Sequence, residues 1–247
     1  PNMYITSPYK FLYFFYWRLV LKKVNIIISV SNFTKKECTE ILDINSDKIY
    51  PVYIGINHDK FYPDKGDCPY FKSGYINLIY TGNDYPNKNL RLIFDALDIL
   101  KEKGKDVNFV RFGRPLRQET IRYIEPLKTK GIKIHNPGIV NEDILRRCNS
   151  CADVFLWPSI YEGFGIPPIE ALACGTKVVA LDIPINHEIH GECSTLVKND
   201  PKEFAEGILD TLKMDIGTRG IEHAKKFTWE KTAREYIKIY QTYLEKF

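Results

Sequence analysis

Short apolar runs alternate along the chain with longer segments in which apolar residues recur every three or four positions. The run Val24–Val30 reads VNIIISV, a continuous β-branched stretch typical of a strand buried on both faces. The other runs that we predict as strands are Lys48–Ile54, Ile76–Tyr80, Val107–Phe112, Lys133–His135, Val154–Trp157, Lys177–Ala180 and Thr195–Val197. Nearly all-apolar strands separated by helices predict an α/β fold, with a parallel sheet covered by helices on both faces.

The segments between the strands have the spacing of amphipathic helices. Ser31 is placed to cap a helix from about Asn32 to Leu42, and Gly104 follows Asn89–Lys103 as a stop signal. The remaining predicted helices are Glu119–Lys130, Asp143–Cys151, Ile169–Cys174, Pro201–Met214 and Trp229–Leu244. In a parallel sheet of this kind, ligands bind at the carboxyl ends of the strands.

The stretch Gly55–Gly66 is rich in Gly, Asn, Asp and Pro, which predicts a linker. The part before it, about 60 residues, is too small for an α/β domain of its own. We expect it to be the end of a domain whose start is absent here. The sequence thus predicts the last part of an N-terminal domain with a hinge over residues 1–62, a complete Rossmann-like domain over 63–227, and a terminal helix over 228–247.

Composition narrows the function classes. Hydrophobic residues make up 44% of the 247 positions and charged residues 27%, which excludes a disordered chain. The net charge of +4 includes no Lys/Arg block, so we expect no nucleic-acid binding. Six cysteines at uneven spacing favour reduced, buried thiols in a cytoplasmic protein. Cys148 and Cys151 form a C-x-x-C pair without a second pair at zinc spacing, so zinc or redox chemistry is disfavoured.

The segment of residues 9–23 mixes aromatic side chains with basic ends, as helices at membrane surfaces do. A helix packed on its own sheet has the same composition and is the favoured alternative. Arg18 interrupts the apolar run, which is half the length that a membrane span needs. A peripheral contact with the inner face of a membrane stays open.

The segment with the clearest chemistry is Pro158–Gly175, PSIYEGFGIPPIEALACG. It follows the predicted strand ending at Trp157 and leads into a helix pre-set by two prolines. A glycine-flanked loop that opens a helix exposes backbone N–H groups beside the positive end of the helix dipole, which predicts an anion site with phosphate as the usual guest. Phe164 between Gly163 and Gly165 would act there as a wedge or as a stacking face.

Two carboxylates, Glu162 and Glu170, bracket this loop with seven residues between them. A carboxylate in a phosphate site is repulsive unless it contacts hydroxyl groups, and an ionised Glu suits a vicinal diol such as that of ribose or a hexose. The loop therefore predicts a ligand with phosphate in the middle and hydroxyls at both ends. The plainer alternative is a pair of carboxylates that stabilise the helix N-terminus. The histidines are scattered. His187 and His190 lie three apart after Pro184, a spacing that would let both face the site, but we favour loop residues without a role.

The string EGFGIPPIEALACGTKVVA resembles the E-x7-E signature of the retaining glycosyltransferases of family 4, which have the GT-B fold of two facing Rossmann-like domains. The resemblance extends over most of the chain. The other segments that carry it are ISVSNFTKKE, VYIGINHDKFYP, LIYTGNDYPNKNL, SCADVFLWPS and FTWEKTAREYIKIY, the last of which resembles a terminal helix that crosses back to the N-terminal domain.

The resemblance implies a role for each matched position. Glu170 would hold the ribose hydroxyls of a nucleotide sugar, Glu162 would contact the transferred sugar, and Lys88 would contact the diphosphate. Backbone N–H groups of Gly163, Phe164, Gly165 and Ile166 would lie along the sugar and diphosphate. The Gly82–Asn83 and Gly113 turns and the Gly138–Val140 segment would line the nucleotide, with Val140 near the base.

One position departs from the family pattern. Many members carry an Arg after the glycine of the first turn, where this chain has Asn83. Arg114 would substitute for that cation or, equally, form a surface ion pair. The resemblance implies no bound metal and no cofactor, since the nucleotide sugar is a substrate.

We therefore expect a glycosyltransferase that moves a hexosyl group from a nucleoside-diphosphate sugar to an acceptor hydroxyl, with retention. The acceptor would be a glycan, a glycolipid or a lipid-linked sugar. The main alternative is a non-catalytic donor-binding subunit or fragment that needs the missing N-terminal domain or a partner chain. An epimerase or phosphorylase of the same fold lacks matching context, and a dehydrogenase would want G-x-G-x-x-G in place of TGNDYPNKN.

Overall fold

The computed structural model describes residues 8–64, 66–215 and 217–245. The strands are β1 (Ile27–Ser29), β2 (Ile49–Pro51), β3 (Ile76–Thr81), β4 (Val107–Phe112), β5 (Lys133–Gly138), β6 (Val154–Trp157), β7 (Lys177–Leu181) and β8 (Ser194–Val197). The α-helices are α1 (Pro8–Lys23), α2 (Asn32–Glu40), α3 (Leu90–Glu102), α4 (Gln118–Thr129), α5 (Glu142–Cys151), α6 (Ile166–Ala173), α7 (Pro184–His190), α8 (Pro201–Lys213), α9 (Gly217–Ala224) and α10 (Trp229–Leu244).

The larger sheet has six parallel strands in the order β5-β4-β3-β6-β7-β8. Strands β4 and β5 follow β3 on one side of the sheet, and β7 and β8 follow β6 on the other side. The order therefore reverses between β3 and β6, and a crevice opens at the carboxyl ends of these two strands. Both strands are buried, with Leu78, Ile79 and Phe155 fully inaccessible to solvent. The predicted parallel α/β sheet is confirmed.

The chain forms two compact units. One runs from Ile56 to Thr228, and the other comprises the described residues up to Gly55 together with those from Trp229 onward. The described residues of the predicted linker from Ile56 onward therefore belong to the larger unit. Ile56 is 3% exposed, pairs with Thr228 in a parallel bridge and donates its N–H to the Phe227 carbonyl at 3.2 Å.

The smaller unit contains the parallel pair β1–β2 with helices α1, α2 and α10. Lys48 donates from Nζ to the carbonyls of Leu21, Lys22 and Val24 at 2.9–3.0 Å, which satisfies groups at the end of α1. In α10, Thr232 donates its hydroxyl to the Tyr53 carbonyl at 2.8 Å. The predicted cap at Ser31 is confirmed, since its side chain accepts from the Thr34 N–H.

Large apolar side chains stay exposed on α1 and α10. On α1 they are Leu12, Tyr13, Phe15, Tyr16, Trp17 and Leu19, each at least 40% exposed. On α10 they are Trp229, Ile237, Tyr240 and Leu244. Among the described residues, no helix is both long enough and apolar enough to cross a membrane.

Two short helices escape the sequence pattern. The segment predicted as a loop around His187 and His190 forms α7, and His190 is fully buried at its end. Burial lowers the pKa of His190 to about 3, so the ring is neutral. The other missed helix, α9, packs on α6, and a Cβ on Gly220 would lie 2.9 Å from Leu172 Cδ2. Both helices are too short for their periodicity to stand out.

Two further expectations were wrong. Cys148 is not a reduced thiol, because it forms a disulfide with Cys68 that ties the segment before β3 to α5. The cysteines lie far apart in sequence, so only the fold brings them together. In addition, α6 begins at Ile166 instead of Ile169, because Pro167 and Pro168 occupy its first turn, where their missing N–H groups cost nothing.

Candidate functional site

The loop Pro158–Gly165 after β6 lies at the carboxyl edge of the sheet and leads directly into α6. Gly165 has φ 92°, a left-handed conformation that glycine adopts without steric cost, and no side chain of the described residues caps the helix after it. The helix N-terminus is thus open toward the loop. The predicted strand–loop–helix arrangement is present, and it can attract an anion.

Lys88 and Glu162 meet at this edge. Lys88 Nζ lies 2.5 Å from Glu162 Oε1, with side chains only 18% and 14% exposed. The same ammonium lies 4.9 Å from the ring centre of Trp157, within range of a cation–π interaction. A partly buried ion pair is screened less by water than a surface pair, so each charge fixes the position of the other.

Backbone contacts join the two loops that carry this pair. Lys88 ends a 3₁₀ turn, Pro86–Lys88, in the connection between β3 and α3. Asn87 accepts at its carbonyl from the Ile160 N–H at 3.0 Å and donates its side-chain amide to the Tyr161 carbonyl at 3.4 Å. These loops follow the two strands at which the sheet order reverses, so the pair lies in the crevice expected to bind ligands.

Glu170 has different surroundings. It lies on α6, and its carboxyl group has no hydrogen-bond or ion-pair partner among the described residues. Burial raises its pKa to about 7, and the negative charge of Glu142 adds to the shift. A half-buried carboxyl group without a partner retains its capacity to accept hydrogen bonds from a ligand.

Three glycines form a floor at the carboxyl ends of β3, β4 and β5. Gly82 donates its N–H to the Phe112 carbonyl at 2.9 Å, and Gly113 donates to the Gly138 carbonyl at 3.1 Å. A Cβ on Gly113, at φ 150°, would lie 2.2 Å from the Gly82 carbonyl oxygen. Only glycine fits at position 113. We call Gly82, Gly113 and Gly138 together the glycine floor.

The sequence analysis missed two residues that hold this edge together. Arg111 belongs to β4, yet its guanidinium donates to the Gly82 and Arg114 carbonyls, each at 2.8 Å. Asp84, 7% exposed, accepts from the Arg117 N–H at 2.9 Å and so ties the Lys88-bearing connection to the start of α4. Although burial acts in the opposite direction, hydrogen bonds from Arg117 and Thr120 hold the pKa of Asp84 below its usual value. The only signal for either residue was a charge next to an apolar strand.

The remaining predicted positions are placed as follows. Asn83 accepts at its carbonyl from the Tyr80 hydroxyl at 3.3 Å, and Ile166 is the first residue of α6. Arg114 is exposed, and among the described residues its side chain has no ion pair. Val140 is half-buried, between β5 and α5. Gly163 is also half-buried in the loop before α6.

Phe164 does not offer its ring to a ligand. It is 4% exposed, and its ring meets that of Phe227 edge to face at 5.6 Å. Of the two predicted roles, the wedge fits this packing and the stacking face does not, because the aromatic surface is already covered.

Potential metal ligands are dispersed. Across residues 8–64, 66–215 and 217–245, no three His, Cys, Asp or Glu side chains cluster in a way that would hold a metal ion. His187 Nε2 lies 2.5 Å from Asp182 Oδ1, and both side chains of this pair are exposed.

The chain is similar in sequence to curated proteins. The chain is 26% identical over 249 residues to the O-antigen chain mannosyltransferase B of Escherichia coli, covering 90% of this chain and 61% of that relative. It therefore spans less than two thirds of the length of that protein.

Two solved structures superpose closely. Sucrose-phosphate synthase from Thermosynechococcus elongatus gives a TM-score of 0.82 at 21% identity, covering 98% of this chain and 65% of that one. Anabaena Alr3699/HepE in complex with UDP-glucose gives 0.77 at 18% identity, covering 97% and 70%. These likenesses confirm the predicted GT-B class of α/β fold.

A family model described as glycosyl transferases group 1 matches residues 76–214, from the start of β3 to just beyond the end of α8. The match includes the Lys88–Glu162 pair, Glu170 and the glycine floor, and it covers more than half of the chain. This protein belongs to the glycosyl transferases group 1 family.

Proposed function

We propose that this chain binds a nucleoside-diphosphate sugar and takes part in the transfer of its glycosyl group to an acceptor hydroxyl, with retention at the anomeric carbon. The observation that carries the proposal is the Lys88–Glu162 pair beside the open N-terminus of α6. The family supports the transferase class, and a related protein is named a mannosyltransferase. A structural neighbour was solved with UDP-glucose, which supports a nucleotide sugar as donor.

The reacting groups follow from the charges. As the glycosyl bond breaks, the sugar gains oxocarbenium character and negative charge builds on the leaving diphosphate. Lys88 and the first N–H groups of α6 would stabilise that charge, which is electrostatic catalysis by pre-positioned groups. Lys88 would exchange Glu162 for a phosphate oxygen, which releases the carboxylate to accept from sugar hydroxyls.

Glu170 would hold the nucleotide end of the donor. Its carboxyl group is half-buried and has no partner among the residues that the structure describes, so two ribose hydroxyls would satisfy both oxygens. The E-x7-E spacing thus separates the two tasks, with Glu162 on the transferred sugar and Glu170 on the ribose.

The acceptor would be a glycan, a glycolipid or a lipid-linked sugar. The chain spans 61% of the length of the Escherichia coli relative, and that shortfall supports a second candidate. In this alternative the chain binds the donor but transfers sugar only together with further polypeptide. Donor hydrolysis or transfer by the chain alone would contradict the alternative.

Titration calorimetry with UDP, GDP and ADP and their glucose and mannose conjugates tests the donor proposal. Glu170→Ala serves as the site variant, and Glu125→Ala, at an exposed position on α4, as its matched control. We expect one nucleotide to bind the wild type and the control tightly and the site variant weakly. Absence of binding by every nucleotide to the wild type would overturn the proposal. The anomeric configuration of the first product, read by NMR, tests retention.

We also propose that α1 contacts an anionic membrane surface. Its exposed aromatic side chains would enter the headgroup region, and Lys22 and Lys23 end the same helix. Flotation with vesicles of phosphatidylcholine and phosphatidylglycerol tests this contact. Trp17→Ala should reduce binding, and no binding of the wild type at low salt would contradict the proposal.

A further inference from the structure

Arg111 places a buried positive charge at the carboxyl edge of the sheet. Its side chain is 1% exposed, and it lies on β4 just before Gly113. The guanidinium donates from Nη1 to the Arg114 carbonyl and to Asn136 Oδ1, and from Nη2 to the Gly82 carbonyl, each at 2.8 Å. All of these acceptors are neutral, and Nε has no partner among the described residues.

No carboxylate of the described chain forms an ion pair with this guanidinium, although the negative charge of Asp84 acts on it from a distance. Arginine retains its proton in proteins, so the site holds a full buried positive charge. Burying an unpaired charge is unfavourable unless an opposite charge offsets it.

A second buried arginine shows how the same chain treats this problem elsewhere. Arg146, 8% exposed, donates to Asp64 Oδ2 at 2.9 Å and to Asp143 Oδ1 at 2.8 Å. Its charge is therefore neutralised within the fold. Arg111 donates three hydrogen bonds from its two terminal nitrogens. No carboxylate of the described residues pairs with it, so its charge is offset only in part, by Asp84 at longer range. A bound anion would supply the remaining counter-charge.

The buried charge lies directly against the glycine floor. A Cβ built on Gly113 would lie 3.1 Å from Arg111 Nη2, so the guanidinium is within contact distance of the glycine floor. That floor lies at the ligand-binding edge of the sheet, beside the connection that carries Lys88.

We propose that Arg111 is a positioning residue of the donor site, whose buried positive charge attracts the diphosphate of the ligand onto the glycine floor. This inference rests on the function proposed above. Arg111 does not touch the ligand, since its side chain is covered. It acts through the electric field in a region of low dielectric and through the Gly82 and Arg114 carbonyls that it holds in place.

Calorimetry distinguishes the effect of the Arg111 charge from a general disturbance of the site. The two ligands are inorganic pyrophosphate and the nucleoside of the preferred nucleotide. Arg111→Met removes the charge at similar length, and Arg111→Lys keeps the charge but loses the forked hydrogen bonds. We expect Arg111→Met to weaken pyrophosphate binding about tenfold or more and to leave nucleoside binding nearly unchanged. Arg111→Lys should retain most of the pyrophosphate affinity of the wild type. Equal losses for pyrophosphate and nucleoside, or no loss, would overturn the proposal.

A second pair of variants applies if Arg111→Met fails to fold. Asn136 is exposed and contacts Nη1, so Asn136→Asp places a carboxylate against the guanidinium, while Asn136→Ala removes the contact without adding charge. We expect Asn136→Asp to retain the thermal stability of the wild type yet to lose pyrophosphate affinity, and Asn136→Ala to lose little. Unchanged affinity in Asn136→Asp would overturn the role of the charge. If the wild type binds neither pyrophosphate nor any nucleotide, the proposed function itself fails.

Discussion

The two ends of the segment from Glu162 to Glu170 have the same carboxyl chemistry in opposite surroundings. Glu162, in the loop, is neutralised by Lys88 and is held in a defined position. Glu170, on α6, has no partner in the part of the chain that the structure describes, and burial raises its pKa to about 7. The difference shows that a spacing motif fixes only where carboxyl groups stand along the chain, whereas the neighbours decide whether each is a paired anion or a proton-binding group.

The largest expected effect concerns the paired end. Lys88→Ala removes the cation that would meet the leaving diphosphate, so the rate of donor turnover should fall about 10²–10³-fold. Initial rates of nucleoside diphosphate release measure it, with Lys128→Ala, at an exposed position on α4, as the control. A loss no larger than that of the control would mean that the ion pair is structural only.

The second prediction concerns Glu170, the carboxyl group without a partner among the described residues, and the way it makes the free energy of unfolding depend on pH. The folded chain holds the pKa of Glu170 at about 7, above the ordinary value of 4.5, so between these values the folded state binds more protons than the unfolded state. The free energy of unfolding should therefore fall as pH rises from about 4.5 to about 7, by up to about 3 kcal/mol. Glu170→Gln should remove this loss.

Urea denaturation of the wild type and Glu170→Gln across that pH range measures the difference. Glu125→Gln, at an exposed position, is the control and should behave like the wild type. Parallel curves for the wild type and Glu170→Gln would show that Glu170 ionises normally.

The third prediction concerns the strength of the interaction between Lys88 and Glu162. A double-mutant cycle of Lys88→Ala and Glu162→Ala should give a coupling free energy of about 1–3 kcal/mol, because the pair is mostly shielded from water. The exposed pair of Lys128 and Glu125 should give about 0.5 kcal/mol or less. Denaturation in urea reports both values, and equal coupling would mean that burial adds nothing.

The smallest expected effect is that of metal removal. Lys88 and the N-terminus of α6 would already supply positive charge at the diphosphate, so we expect EDTA to leave donor turnover unchanged. Rates with EDTA and after addition of Mg²⁺ or Mn²⁺ check this. Inactivation by EDTA that either metal reverses would contradict the metal-independent mechanism.

Local features of the fold were predictable from sequence. The run VFLW of β6, the Ser31 cap and the stop at Gly104 all depend on neighbours within a few positions. Helices α7 and α9 were missed, since their short amphipathic patterns become helical mainly through packing.

The sequence by itself determined that the chain is a parallel α/β protein, because apolar period, caps and glycines act over short distances. It also predicted an anion site at the loop before α6. It also identified Lys88, Glu162 and Glu170 as candidates. Only the tertiary structure decided that Lys88 pairs with Glu162, that Cys68 bonds to Cys148, and that Arg111 lies buried against the glycine floor. Strand order and packing create these contacts, and they join residues whose local sequence carries no signal of one another.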